Sequence, residues 1–261
     1  MKIVIPMAGG SERFRNAGYT VPKAFMLIDG RPMIHWVCSM FSSSDEFIFI
    51  VRREHCEVPE YRAIIESAAV RHSIVSIEPN RQGPIVSILQ ANLEIAPDEP
   101  VIITYCDFYQ HWNYPKFLEE IERYQGGIIT FKGWHPASFG STFYAYLRLN
   151  SQNEMLELRE KKSFTGESYQ EPASTGVYYL NRWDSFLKYS RLLLEREGHV
   201  NNEYYVSLIY NEVVNDGLKV LGFEAERFIC WGTPEDVEQY QMWSEYFSKD
   251  VSKYFNIDIT R

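Results

Sequence analysis

Cysteine is scarce in this 261-residue chain: Cys38, Cys56, Cys106 and Cys230 are all it has, with no short pair and no metal-site spacing. A disulfide-stapled secreted scaffold is thereby excluded, and free thiols in a reducing compartment are expected. No apolar stretch reaches the roughly 18 residues that a membrane helix needs. Met1-Lys2 leads straight into an apolar run rather than a signal sequence, so a cytoplasmic protein is expected. Positive charge is in deficit: 26 Lys and Arg against 35 Asp and Glu leave a formal net charge of −9. That argues against a nucleic-acid partner and against a membrane surface, both of which ask for a basic face. A small anionic substrate remains open if Arg13, Arg15, Lys23, Lys161 and Lys162 cluster locally. No Pro/Gly/Ser-rich linker, repeat or charge block divides the chain, so residues 1–261 read as one domain. The six histidines have no ligand spacing and are given no role.

Against these absences stands a dense opening. The β-branched run Lys2-Ile-Val-Ile-Pro6 feeds into Met7-Ala8-Gly9-Gly10-Ser11-Glu12-Arg13, and Pro22-Lys23 and Gly30-Arg31-Pro32-Met33-Ile34 follow. A polyphosphate needs close backbone approach, which Ala8, Gly9, Gly10 and Ser11 permit, because none carries a large side chain. It also needs fixed positive charge. Arg13 offers a planar fork and Lys23 a mobile point charge. Backbone N–H groups and two cations can thus converge on one nucleotide. A plain strand-to-loop turn is the bland alternative, but the four elements occurring together in order favour the nucleotide site.

At these residues the chain resembles the sugar-nucleotidyltransferase family, the pyrophosphorylases that join a nucleoside monophosphate to a phosphorylated sugar, choline or similar metabolite. Its members open with a strand, Ala-Gly-x-Gly-Thr-Arg or Ala-Gly-x-Ser-x-Arg, then Pro-Lys, then Gly-x-Pro-Met-Ile. The similarity runs on to Trp231-Gly-Thr-Pro-Glu-Asp236. The resemblance implies a sheet of the nucleotide-diphospho-sugar transferase type, an NTP and a small phosphorylated acceptor as partners, Mg²⁺ as cofactor, and a role in making surface-polysaccharide precursors. Nucleobase, acceptor and oligomeric state stay open, a homo-oligomer included.

The chain pattern is α/β. Lys2–Pro6, Glu46–Val51, Ser73–Ile77 and Val101–Tyr105 read as buried strands, and Pro32–Phe41, Pro59–Ala69, Pro84–Ile95 and Pro115–Tyr124 as helices. Alternation of this kind predicts a doubly wound sheet covered on both faces, with ligands at the carboxyl ends of its strands. Residues 1–125 would be the nucleotide-binding half and 126–247 the acceptor-binding half, with 248–261 a peripheral tail. In the second half Gly127–Phe131, Phe143–Asn150, Met155–Arg159 and Thr175–Leu180 read as an antiparallel flap on the mixed sheet, and the hydrophilic loop Lys161–Glu171 lines a site. Helices are predicted over Trp183–Glu197, Glu203–Val214 and Pro234–Phe247, the last with Thr233 as N-cap, and a strand over Lys219–Phe223.

Several positions could carry chemistry. Asp107 ends a hydrophobic strand, where a carboxylate can hold Mg²⁺ against phosphates; the alternative is a turn or capping aspartate. The resemblance gives it the catalytic metal. Gln82 and Gly83 stand where the family's base-contacting loop lies, although an ordinary loop before Pro84 has the same spacing. Glu160-Lys161-Lys162 resembles the element whose lysine grips the acceptor phosphate, here Lys161. Gly176 and Asn202 or Glu203 match places where the family holds its acceptor, Asn202 serving equally well as a helix N-cap. Trp134, Phe139, Tyr144 and Tyr178 could stack on a ring or fill core.

Two residues depart from the pattern. Cys230 stands where many members complete the metal site with an aspartate, and a neutral thiol is a poor ligand for Mg²⁺. Either Asp107 and the nucleotide hold the metal alone, or another acid compensates, or turnover is lost. Glu12 sits in the phosphate loop, where a carboxylate about 4 Å from a phosphate charge costs roughly 1 to 4 kcal/mol. It must point outward, pair with Arg15 or face the metal. The reading is a Mg²⁺-dependent nucleotidyltransferase with Arg13, Lys23 and Asp107 as catalytic residues. Its rivals are a glycosyltransferase, which would want Asp-x-Asp where this chain has Asp107-Phe108-Tyr109, and a silent nucleotide-binding regulatory subunit.

Overall fold

The computed structural model describes residues 1–133 and 144–248. The first half runs β1 (Lys2–Pro6), α1 (Glu12–Asn16), β2 (Leu27–Ile28), β3 (Arg31–Pro32), α2 (Met33–Cys38), β4 (Glu46–Arg52), α3 (Arg53–Cys56), α4 (Pro59–Ala68), β5 (His72–Ile77), α5 (Pro84–Gln90), β6 (Val101–Thr104), β7 (Phe108–His111) and α6 (Tyr114–Ile121). The second half adds β8 (Gly126–Phe131), β9 (Ala145–Leu149), β10 (Met155–Glu160), β11 (Ala173–Leu180), α7 (Trp183–Glu195), α8 (Ile209–Asn215), β12 (Val220–Glu224), β13 (Arg227–Cys230) and α9 (Pro234–Ser248).

Nine strands form one mixed sheet in the order β10-β9-β11-β6-β1-β4-β5, with β8 paired to β11 and β12. Strands β1, β4, β5 and β6 are parallel, while β11 turns the sheet antiparallel beside β6. The apolar runs of β1, β4 and β6 are continuous because both faces are covered, while the edge strand β5 is partly exposed. Ile3 and Ile5 enter one core layer with Phe47, Phe49 and Ile102, while Val4 enters the other with Ile48, Ile50 and Ile103, the two-residue alternation of a strand buried on both sides.

Most predicted strands and helices fall within a few residues of their expected ends. The helix from Pro84 stops at Gln90, and Asn92 just beyond is left-handed. The predicted helix over Glu203–Val214 is half wrong. Residues 203–205 are not helical, because Tyr204 donates its N–H to Gln82 O at 2.8 Å and accepts from Ile85 N at 3.2 Å. A short 3₁₀ turn at Val206–Leu208 then leads into α8. β8 is antiparallel to β11 as expected but parallel to β12. Phe143, Trp134, Phe139 and the tail beyond Ser248 lie outside the described residues. No helix among the described residues is long and apolar enough to cross a membrane.

Candidate active site

A cavity of about 930 Å³ opens at the carboxyl ends of β1, β4, β5 and β6, the end of an open parallel sheet where ligands lie. Its first wall is the turn after β1. Gly9, Gly10 and Ser11 line it, Ser11 being left-handed at φ 49° and Arg13 following on α1. A Cβ on Gly9 would meet nothing within 4 Å, so protein packing does not require glycine there and the bare backbone faces open space. Glu12 stays on the cavity wall but is paired there: its carboxylate lies 3.0 Å from Arg81 and 3.9 Å from Arg15.

Lys23 and Asp107 meet at the centre. Pro22 leads into a 3₁₀ turn that starts at Lys23, and Asp107 stands between β6 and β7. Lys23 Nζ donates to Asp107 Oδ2 at 2.6 Å. Burial pulls the ammonium's pKa down, but the charge of Asp107 and its hydrogen bond oppose it, and the net effect is upward. Lys23 is a fixed cation. Cys106 is pushed up to about 12, chiefly by burial, and remains a neutral thiol.

The opposite wall comes from the second half. Lys161, left-handed at φ 55°, follows β10 directly. Its ammonium donates to the Tyr205 hydroxyl, lies 4.4 Å over that ring and is 3.9 Å from Glu203, which in turn accepts from Tyr205. Glu160 accepts from Ser207 Oγ at 2.5 Å, and burial raises its pKa to about 7, against the pull of Ser207 and Lys161. Gly176, at φ +105°, sits where the register of β11 against β8 shifts; a Cβ there would lie 3.1 Å from both Phe108 and Tyr105 rings. Asn201 and Asn202 are consecutive left-handed residues of a turn, so Asn202 is not the N-cap of a helix. The loop after Lys161 is organised from below: the buried Glu171 carboxylate accepts from Phe164 N at 2.8 Å and from Thr165 N and Oγ1 at 2.6 Å each.

A two-stranded antiparallel ribbon, β7 with β13, closes the third side. It pairs Cys230 with Phe108, and Trp231 N donates to Asp107 O at 2.8 Å, which brings the start of α9 against the centre. Thr233 caps α9 as expected: its hydroxyl accepts from Asp236 N at 3.2 Å, while Asp236 Oδ2 accepts from Thr233 N at 3.0 Å and Oγ1 at 2.9 Å, a reciprocal capping box. The Cys230 thiol donates to the same oxygen at 3.5 Å. Burial raises its pKa, and Asp236 and Asp107 raise it further, so the thiol stays neutral.

Among the residues singled out from the sequence, Gly9, Gly10, Ser11, Arg13, Lys23 and Asp107 share the cavity wall with Gly83, Lys161, Gly176, Asn202 and Glu203. Ala8 and Gln82 are not on it. Ala8 is buried in the core, and Gln82 is exposed, its carbonyl tied to Tyr204. The amide on that wall belongs to Asn80, which bonds Ser87 Oγ at 3.0 Å and accepts from Gln82 N at 3.0 Å. Glu160, Tyr105, Tyr178 and Asp236 also line the cavity; Glu160 and Asp236 stand in motifs quoted for the family resemblance and Tyr178 among the aromatics weighed for stacking or core, but none of the four was given a site role. The fit for a divalent cation is carried by two observations: an ammonium already sits on Asp107, and Gly232 leaves a gap bordered by Asp107 and Asp236 oxygens. Among the described residues no three His, Cys, Asp or Glu side chains form a complete cage, so such an ion would draw the rest of its shell from substrate oxygens and water.

No curated protein sequence matches the chain. Solved structures resemble it along nearly its whole length. A nucleoside-diphosphate-sugar pyrophosphorylase from Vibrio cholerae RC9 superposes with a TM-score of 0.77 at 20% identity, covering 92% of this chain and 99% of that one. A UDP-glucose pyrophosphorylase complexed with UDP-glucose gives 0.71 at 18%, covering 95% and 98%. The inositol-1-phosphate CTP transferase from T. maritima gives 0.66 at 15%, covering 95% and 96%. At such identities the likeness carries the fold. The sequence pattern of the MobA-like NTP transferase domain matches residues 3–166, the strand, glycine turn, Lys23, Asp107 and Lys161 included, and the chain belongs to that family.

Proposed function

We propose that the protein is a nucleotidyltransferase that joins the nucleoside monophosphate of an NTP to a small phosphorylated acceptor, such as a sugar phosphate, and releases pyrophosphate. The observation that carries this is the convergence on one cavity of a bare glycine turn with Arg13 and Lys23 on one side and Lys161 on the other, with Asp107 between them. Two phosphorylated substrates need two separate cationic walls. Phosphate monoesters have a second pKa near 6, so at neutral pH the acceptor oxygen is already nucleophilic and no general base is required. That oxygen attacks the α-phosphorus in line; the bond to the bridging oxygen of the β-phosphate breaks, and pyrophosphate leaves. Arg13 steadies the β- and γ-phosphates, Lys23 the α-phosphate and Lys161 the acceptor phosphate, so catalysis rests on positioning and charge neutralisation. Lys23 must exchange Asp107 for phosphate as the nucleotide enters. Mg²⁺, when bound at Asp107, supplies further neutralisation of phosphate charge.

A screen of four NTPs against phosphorylated sugars, polyols and amino alcohols, read by pyrophosphate release, tests the reading and identifies base and acceptor. The observation favouring a silent regulatory subunit is Cys230 beside Asp107. NTP binding without release across the panel would establish that reading instead, and release would exclude it.

A further inference from the structure

Gly232 leaves a notch in the cavity wall. A Cβ built on it would lie 3.3 Å from Cys230 Sγ, 3.4 Å from Asp107 Oδ2 and 4.0 Å from Asp236 Oδ2. Its φ is outside the left-handed region, so backbone conformation does not call for glycine. Two carboxylate oxygens, one from the residue before β7 and one from the segment after β13, at the same end of the ribbon, therefore border one small space. They are unequally provided for. Asp107 has the Lys23 ammonium at 2.6 Å, whereas Asp236 receives only uncharged donors, from Thr233 and Cys230, and among the described residues no cation pairs with it. A capping box explains why an acid stands three residues after Thr233. It does not explain why that carboxylate borders the notch opposite Asp107.

We propose, on the nucleotidyltransferase reading above, that Asp236 is the second protein carboxylate of the divalent-cation site begun by Asp107, replacing the oxygen ligand that Cys230 does not supply. A hard cation takes oxygen in preference to a neutral thiol, and one or two carboxylates completed by phosphate oxygens and water suffice for Mg²⁺. Cys230 then holds no metal, and its S–H is only a weak third donor to Asp236 Oδ2. Thr233 holds the same oxygen from the other side, so the helix cap and the ligand are one group.

The test uses the whole chain with Mn²⁺ as a spectroscopic probe, titrated alone and with inorganic pyrophosphate, the released product. Asp236→Asn keeps an acceptor for Thr233 and should preserve the urea midpoint, yet weaken Mn²⁺ binding with pyrophosphate about 10- to 100-fold. Cys230→Ala should bind Mn²⁺ as the wild type does, and Cys230→Asp added to Asp236→Asn should restore binding. Thr233→Ala separates cap from ligand: it should lower stability and leave Mn²⁺ affinity within about twofold. The proposal is overturned if Asp236→Asn binds like wild type, if Cys230→Ala loses the metal, or if Thr233→Ala loses it as fully as Asp236→Asn. Pyrophosphate release by the wild type is scored in parallel. No release, with Mn²⁺ bound and lost on Asp236→Asn, would remove the enzymatic reading and leave the site standing.

Discussion

Lys23→Met removes one of two charges that hold each other across the centre of the cavity. The partners are 2.6 Å apart, with side chains 26% and 21% exposed, so the pair is partly desolvated without being sealed from water. At that separation and an effective dielectric between 80 and 20 the attraction is about 2 to 6 kcal/mol. Asp107 recovers some of that by rehydrating once the lysine is gone, which leaves an expected stability loss of about 1 to 2 kcal/mol at neutral pH. Pyrophosphate release should fall about 10²- to 10³-fold, the usual cost of deleting one preorganised partner of transition-state charge. Urea denaturation of Lys23→Met, Asp107→Asn and the double variant separates the two effects. Since each single variant orphans the charge of the other partner and the double variant leaves none, the double variant should be more stable than the sum of the single losses predicts, by about 1 kcal/mol. Additivity within about 0.3 to 0.5 kcal/mol would refute the energetic pairing. Near-normal kcat with every substrate pair would refute the role of Lys23.

Three further outcomes follow from the cavity walls. Gly9→Ala meets no neighbour within 4 Å, so stability by urea should change by less than about 0.5 kcal/mol, while NTP affinity measured calorimetrically should drop about tenfold or more because the methyl occupies the phosphate's approach; unchanged affinity would move the triphosphate elsewhere. Gly176→Ala should cost about 1 to 3 kcal/mol, since its φ is +105° and the added carbon lies 3.1 Å from Tyr105 and Phe108, and a variant as stable as wild type would show that β11 relaxes freely. Glu160 binds its proton more tightly folded than unfolded, with a native pKa of about 7 caused chiefly by burial. Its contribution is therefore full below the unfolded value near 4.3 and lost as pH rises to about 7, so Glu160→Gln should flatten the stability–pH profile in that window by up to about 3 kcal/mol; parallel profiles for the two proteins would overturn the shift.

The sequence by itself determined most of the first half of this protein. β1, β4 and β6 are buried on both faces, so their apolar runs are continuous and their ends sharp, and Gly9, Arg13, Lys23 and Asp107 all lie beside or between such elements, where local pattern suffices to place them. Only the tertiary structure decided the rest. The extended path of residues 203–205 is set by backbone bonds to Gln82 and Ile85, about 120 residues away in the chain, and no helical propensity in Glu203–Val214 could reveal it. The strands β7 and β13 are four residues each, partnered across more than 100 positions; runs this short carry no periodicity until the partner is known. Asp236 enters the sequence reading only as the last residue of the Trp231–Asp236 stretch, because its capping contact with Thr233 joins neighbours and points to no distant partner. That it also borders Asp107 follows from the ribbon's register and the bare Gly232 between them, a long-range juxtaposition that only the folded chain makes.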